Sequence, residues 1–400
     1  MSAAAEIVFD RVTKRYAGRD GAALEELSFT IPAGTFCVLV GPSGGGKTTA
    51  LKMVNRLITI TEGDIAIDGR SVRALDVTDL RRGIGYVIQQ VGLFPHMTVE
   101  DNIATVPRLL RWPKARIRDR VGELLELVGL AEDYRGRFPS QLSGGQRQRV
   151  GLARALAADP PVMLMDEPFG AVDPIVRERL QNEFLRLQEE LAKTILFVTH
   201  DIDEAIKMGD LVAVFRTGGV VEQFGPPSEI LAAPASPFVA RFVGADRGLK
   251  RLSLTRVNDL PLVAAVTARA GGDAADARRR ILADPFRYLL LLDESDRPLG
   301  WVEELRIPSD GMLGPDLVQS TSPLLDRRTT LKDALSMLLD RDVQAGVVVD
   351  RHGVYRGVVT VDQITGFMRD TARDPDLPVA ATELDDEIAA LTGPRNGGDA

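Results

Sequence analysis

Cysteine is almost missing from this chain. The only one in 400 residues is Cys37, which excludes an internal disulfide and a cysteine-based metal site and fits a reducing cytosol. A basic excess is also lacking: 49 Lys and Arg stand against 57 Asp and Glu, a formal charge of -8. Nothing in that balance favours nucleic acid or an anionic lipid surface, so no nucleic-acid partner is expected. No stretch approaches the ~20 apolar residues needed to span a bilayer. The opening MSAAAEIVFD has no basic segment followed by an apolar one. Any membrane role is therefore expected to run through a partner.

What is present is ordinary globular material: 44% hydrophobic residues and, at roughly 150 residues per domain, two or three domains. Up to about residue 245, short apolar runs (TFCVLV, GYVIQ, VMLMD, TILFVTH, LVAVF) alternate with helical patterns, which predicts an α/β fold around a mostly parallel sheet. IVFDRV, LSFTI and EGDIAIDG predict a small antiparallel sheet, with a turn at Asp68-Gly69. From Thr98 to Ala158 the pattern is helical, predicting a helical subdomain. Cys37 falls inside a buried strand and reads as packing.

After the Pro-rich GPPSEILAAPASPF the character changes, and a second domain is expected over about 250–370. An internal repeat runs through it at an offset of 57: Asp276 and Ala277 match Asp333 and Ala334, Asp293 matches Asp350, Gly300 matches Gly357, and Ile307 matches Ile364. The copies span about 253–310 and 322–369, and each reads helix, strand, turn, strand, so that paired units can bury their apolar faces together. The acidic tail over 371–400 has few large apolar residues and is expected to be flexible.

Three stretches carry chemistry. Gly41-Pro42-Ser43-Gly44-Gly45-Gly46-Lys47-Thr48, followed by Thr49, fits GxxxxGK[ST] between a strand and a helix. Its glycines let backbone N–H groups face phosphate oxygens at a helix N-terminus, Lys47 reaches the β and γ phosphates, and the Thr48 hydroxyl suits Mg²⁺. VMLMDE then ends a buried strand on two acids. Asp166 is assigned to the metal, and Glu167 to orienting and polarising the attacking water. Alone, such an acidic pair is more often a turn or a cap. Leu142-Ser143-Gly144-Gly145-Gln146 opens a further helix and repeats the exposed N–H array, with an ordinary Ser N-cap as its plainer reading.

Together with the Asp of GAVDP and the His of FVTHD, these stretches resemble the ATP-binding subunits of ABC transporters over about residues 5–245. The resemblance implies a P-loop ATPase fold, ATP and Mg²⁺ as cofactors, and a homodimer closed head to tail over two ATP molecules. Each ATP then lies between the phosphate loop of one chain and Ser143 to Gln146 of the other. It further implies that Tyr16 stacks on adenine, Gln89 serves at the metal and coupling loop, Asp173 lies at the dimer seam, and His200 contacts the γ phosphate.

LKMVNRLITITEGDIAIDG, YVIQQVGLFPHMTVEDNI and the repeat are similar to ATPases of importers for glycine betaine, carnitine, choline and proline, whose C-terminal repeats are paired, regulatory CBS units. That likeness implies integral membrane permease subunits, an extracytoplasmic solute-binding protein, a small regulatory ligand at the CBS pair, and a peripheral place on the cytoplasmic face of the membrane. The sequence departs from the nucleotide-binding CBS pattern. After Thr360 the acid is Asp362, one position early, and Glu303 stands where Thr360 does in the other copy, which argues against adenosine binding there. Other cargo, such as an amino acid or polyamine, and a non-transport ATPase remain alternatives; the intact Lys47, Asp166, Glu167 and His200 argue against an inactive scaffold.

Overall fold

The structure is a computed structural model that describes residues 3–18, 21–88, 92–170, 173–284, 286–319, 322–341 and 343–370. Two sheets form its N-terminal part. The first joins strands β1 (Ile7–Arg15), β2 (Ala22–Ile31), β4 (Glu62–Ile67) and β5 (Arg70–Ser71) in the antiparallel order β2-β1-β4-β5, with β3 (Phe36–Val40) leaving it for the second sheet. Asp68 and Gly69 both take positive φ, 50° and 71°, which matches the right-handed twist of the β4–β5 hairpin.

The second sheet has the order β10-β9-β3-β8-β7-β6, where β6 is Ile84–Val87, β7 Val162–Asp166, β8 Thr194–Val198, β9 Leu211–Arg216 and β10 Val220–Gly225. All its pairs are parallel except β9–β10. Every residue of β3, β7 and β8 is buried, which is why they read as unbroken apolar runs. Successive side chains still part to opposite faces. Phe36, Val38 and Val40 join a core with the helical segment Lys114–Leu127, while Cys37 and Leu39 join one with the antiparallel sheet and the helix Lys47–Val54. Cys37 is buried and unbonded to another cysteine, and burial foremost, with Asp210 second, pushes its thiol pKa up.

The repeat is visible in the C-terminal part. One copy carries β11 (Thr267–Arg269), β12 (Tyr288–Leu292) and β13 (Pro298–Glu303); the other carries β14 (Leu324–Asp326), β15 (Ala345–Val349) and β16 (Tyr355–Thr360). In both, a parallel pair is followed by an antiparallel hairpin, with Gly300 opposite Leu291 and Gly357 opposite Val348. The shared aspartates are turn makers: Asp293 accepts from Ser295 N and Asp350 from His352 N, each at 2.8 Å. Ile307 and Ile364 are both buried. The charged pattern TLKDALSMLLDRD turns an apolar face inward through Leu331, Ala334, Leu335 and Leu338.

The helix Arg247–Leu254 belongs to both parts. Leu252 enters the core of the second repeat copy, while Leu254, two residues on, packs against the core of the N-terminal sheet. Truncating the ring at the centre of that sheet tests the architecture. Phe36 is 1% exposed and meets Phe184 edge-on at 5.8 Å, so Phe36→Ala is expected to cost about 3–5 kcal/mol. The check is a lower denaturant midpoint for the N-terminal part, followed by Trp112 fluorescence in a Trp301→Phe background.

Candidate functional site

Three neighbouring parallel strands, β3, β8 and β7, release their chains at the same edge, the carboxyl end where α/β sheets bind ligands. The loop after β3 begins at Gly41, where a Cβ would stand 2.2 Å from the Phe215 carbonyl oxygen. It ends at Gly46, with φ 86°, where a Cβ would lie 2.6 Å from the Ala23 oxygen and 2.6 Å from Leu24. Both positions therefore exclude any side chain. Gly46 is the N-cap of Lys47–Val54, and no side chain caps that helix. Its first N–H groups are left for an anion, with the helix dipole adding to their pull.

Lys47 folds back on this loop, and its Nζ donates to Gly41 O at 2.7 Å and Pro42 O at 2.8 Å. Burial lowers its pKa, and the charges of Glu167 and then Asp166 oppose that shift. The Thr48 hydroxyl donates to Asp166 Oδ1 at 2.8 Å, so the loop after β3 and the end of β7 meet directly. A hydroxyl beside a carboxylate is a hard oxygen pair that suits Mg²⁺. Among the described residues no group of three or more His, Cys, Asp and Glu is placed to hold a metal, so Thr48 and Asp166 are the pair there that fits such an ion.

Glu167, the next residue, takes φ 45°, a region that bulky residues enter only when their surroundings hold them there. Its N–H donates to Val198 O at 3.0 Å, and its carboxylate stands 3.5 Å from His200 Nδ1. His200 follows β8 and is more than half exposed. Its neighbours are locked: Thr199 Oγ1 donates to the buried Glu204 Oε2 at 2.6 Å, and Gln181 Nε2 donates to Glu204 Oε1 at 3.0 Å. Burial foremost raises the Glu204 pKa.

Lys47, Thr48, Asp166, Glu167 and His200 are thus brought together. Tyr16 sits nearby, because Leu24 touches Gly46 and pairs with Lys14, two residues before Tyr16. Ser143 to Gln146 lie elsewhere in the chain's bonding. Ser143 caps the helix Gly144–Leu156 in a reciprocal box, Ser143 N donating to Gln146 Oε1 at 2.9 Å and Gln146 N to Ser143 Oγ at 3.3 Å. Asp173 is exposed just ahead of the helix Pro174–Leu191. Gln89 lies outside the described residues.

Three groups escaped the sequence reading. Lys52 Nζ stands 3.5 Å from Asp166 Oδ2; its place one turn after Thr48 on the same helix face was the available signal. Lys14 Nζ lies over the Tyr16 ring at 4.9 Å. Tyr134, whose hydroxyl accepts from Gln146 Nε2 at 2.9 Å, is fixed by no local pattern.

Residues 24–170 match the family model "ABC transporter" and residues 316–370 match "CBS domain". The chain is 44% identical over 367 residues to an osmoprotectant import ATP-binding protein of Salmonella typhimurium, covering 90% of this chain and 96% of the relative. It is 41% identical over 366 residues to a glycine betaine/carnitine/choline transport ATP-binding protein of Bacillus subtilis, at 90% and 96% coverage. Among solved structures it is similar to the dimeric bacterial ABC transporter cassette MJ0796, with TM-score 0.50 and 36% identity over 55% of this chain and 98% of that one. A post-hydrolysis dimer of the same cassette with ADP and Pi gives TM-score 0.50 and 35% identity at the same coverage.

The loop geometry makes one prediction. Gly46→Ala is expected to weaken ATP binding by about tenfold or more through loop displacement, because positive φ and the Ala23 contact both reject a methyl group. Fluorescent-nucleotide titration of the folded variant measures it, and unchanged affinity would contradict the close approach.

Proposed function

Because the chain belongs to the ATP-binding subunits of ABC transporters, we propose that it energises import of a compatible solute of the glycine betaine, carnitine, choline or proline type through partner permease subunits. An extracytoplasmic protein delivers the solute, and this chain works from the cytoplasmic membrane surface. No described helix is long and apolar enough to cross a membrane, in keeping with attachment through partners. The observation that carries the ATPase reading is the convergence of Lys47, the Thr48–Asp166 bond and the Glu167–His200 contact at one sheet edge.

In this reading Lys47 exchanges the Gly41 and Pro42 carbonyl oxygens for β and γ phosphate oxygens. Thr48 and Asp166, with Gln89, would hold Mg²⁺, which would supply charge neutralisation at the phosphates. Tyr16 stacks on adenine. Glu167, held by its backbone bond to Val198, orients and polarises the attacking water, and His200 contacts the γ phosphate. Ser143, Gly144, Gly145 and Gln146 present their helix start to ATP on a second copy, with Asp173 at the seam. The capping box commits the Ser143 hydroxyl and Gln146 Oε1 to their own turn while Gln146 Nε2 reaches Tyr134, which holds the backbone of that turn as the proposed anion-binding face. ATP then glues two copies head to tail, and hydrolysis releases them.

The paired C-terminal units regulate that cycle in the same reading. Lys250 of the shared helix ion-pairs with Asp203 at 3.3 Å, in the first turn of the helix Ile202–Met208 that follows His200.

Two experiments test these assignments. Glu167→Gln is expected to cut ATP turnover by about a hundredfold or more while ATP-bound dimers accumulate on size exclusion; Lys47→Ala is expected to weaken ATP binding itself by about tenfold or more. Full turnover in the Gln variant would sink the general-base assignment. We infer that the paired units gate the ATPase according to ionic strength or a small ligand. In the assembled importer, Asp203→Asn is therefore expected to keep basal turnover and flatten its response to salt; an unaltered response would remove the Lys250 joint from the regulatory path.

A further inference from the structure

The cavity at the first repeat copy has a donor set that ATP hydrolysis leaves unused. It is an open cleft of about 660 Å³ lined by Tyr288, Trp301, Glu303, Arg306, Gln319 and, from the second copy, Val343. Tyr288 and Glu303 are cross-strand partners in the β12–β13 hairpin, and Trp301 lies two residues before Glu303 on the same face. Phe286 meets both rings edge-on, Tyr288 at 5.6 Å and Trp301 at 5.8 Å, and the Trp301 indole N–H donates to Ser322 Oγ at 2.5 Å. Trp301 itself is buried, so these contacts fix the half-buried Tyr288 ring as the aromatic surface at the cavity, with the Glu303 carboxylate opposite it on the next strand.

Among the described residues, neither the Glu303 carboxylate nor the Arg306 guanidinium has a hydrogen-bond or ion-pair partner, although they are three positions apart and opposite in charge. The other copy supplies an internal control. At the offset of 57, Tyr288, Trp301, Glu303 and Arg306 become Ala345, Val358, Thr360 and Gln363. There Thr360 N donates to Gln363 Oε1 at 3.0 Å and Gln363 Nε2 to Pro261 O at 2.9 Å. The repeat fold thus closes this corner with neutral, mutually bonded groups; the rings and the unpaired charges are peculiar to one copy.

We infer that this cavity binds a small zwitterion bearing a quaternary ammonium and a carboxylate. A quaternary ammonium donates no hydrogen bonds, so a ring face and a nearby carboxylate are what attract it; the half-buried Tyr288 and Glu303 provide them, while Trp301, only 1% exposed, backs the Tyr288 side of the cavity from the core. The Arg306 fork then meets the ligand's carboxylate. Glu303 repels a phosphate placed at the same spot, which disfavours a nucleotide. The choice of ligand rests on the compatible-solute reading, since a solute of this chemistry is the proposed cargo. Occupancy reports the cargo already accumulated on the side of the membrane where the ATPase works.

Equilibrium dialysis of labelled glycine betaine against the full chain tests this. One saturable site per chain is expected, weakened about tenfold or more by Glu303→Gln and by Tyr288→Leu. Arg306→Ala, at an exposed position, is expected to weaken glycine betaine about tenfold yet leave choline, which lacks the carboxylate, unchanged. ATP binding is expected to stay as in the unmodified chain for all three variants. Absence of saturable glycine betaine binding, binding indifferent to Glu303 and Arg306, or displacement by AMP with no site for glycine betaine would each overturn the inference. Glycine betaine uptake by the assembled importer, measured in parallel, reports separately on the cargo: uptake without binding to the isolated chain sinks this site alone.

Discussion

The hydrogen bond from Thr48 to Asp166 depends on β8 lying between β3 and β7, and the rest of the candidate site depends on that spacing. Strands buried on both faces cannot shift sideways without opening two cores at once, one against the helical segment and one against the antiparallel sheet. The three strand ends are consequently fixed relative to one another. A lysine, a hydroxyl, two carboxylates and an imidazole that lie up to 153 positions apart in the chain, from Lys47 to His200, come to one edge because the strands that carry them end there, and only then make the Thr48–Asp166 and Glu167–His200 contacts. Sheet order does the assembling, and the polar groups inherit their places.

That arrangement stores an electrostatic tension. Asp166 and Glu167 hold negative charge beside a buried Lys47, whose charge is disfavoured by desolvation and favoured by those two carboxylates. Lys52 adds a second cation at Asp166, and Tyr86, with its phenol pKa raised to about 12 chiefly by burial and then by Asp166, resists adding another anion. A polyanion entering here meets two acids as well as two lysines. It is accommodated by the uncapped helix start and the loop N–H groups, which contribute attraction with no formal charge to be desolvated. The positive φ of Glu167 fits the same logic. Strain at the residue after β7 turns its carboxylate toward His200 instead of letting the backbone run on as strand.

Much of this was legible in sequence because it is local. The phosphate loop, the acidic strand end and the Ser143 helix start are contiguous patterns whose geometry follows from glycine placement and capping, and the parallel sheet follows from apolar runs spaced by helices. The repeat was legible for a physical reason as well: Asp293 and Asp350 make the same turn and Ile307 and Ile364 fill the same core position, so their identity is enforced by structure. What sequence could not supply was contact between distant segments. The Glu167–His200 approach and the Tyr134–Gln146 bond are set by tertiary packing. The helix Arg247–Leu254 was hidden because it straddles the place where a boundary near residue 250 was expected.

That helix also constrains how the two parts can communicate. Leu252 and Leu254 commit it to two cores, and Arg251 lies over the Phe367 ring at 5.5 Å while Lys250 reaches Asp203. Tilting the second repeat copy therefore pulls on the segment just after His200. Lys250 Nζ is also held by Asp246 at 3.1 Å and by the Val243 carbonyl at 2.7 Å, and its side chain is only 13% exposed, so salt screens this joint less than it screens open surface pairs. A joint of that kind transmits a displacement and is poorly suited to sensing ions. In the proposed regulatory reading, sensing then falls to groups on the far side of it, in the repeat copies, where charges stand in solvent or, as with Glu303 and Arg306 among the described residues, stand unpaired at a cavity.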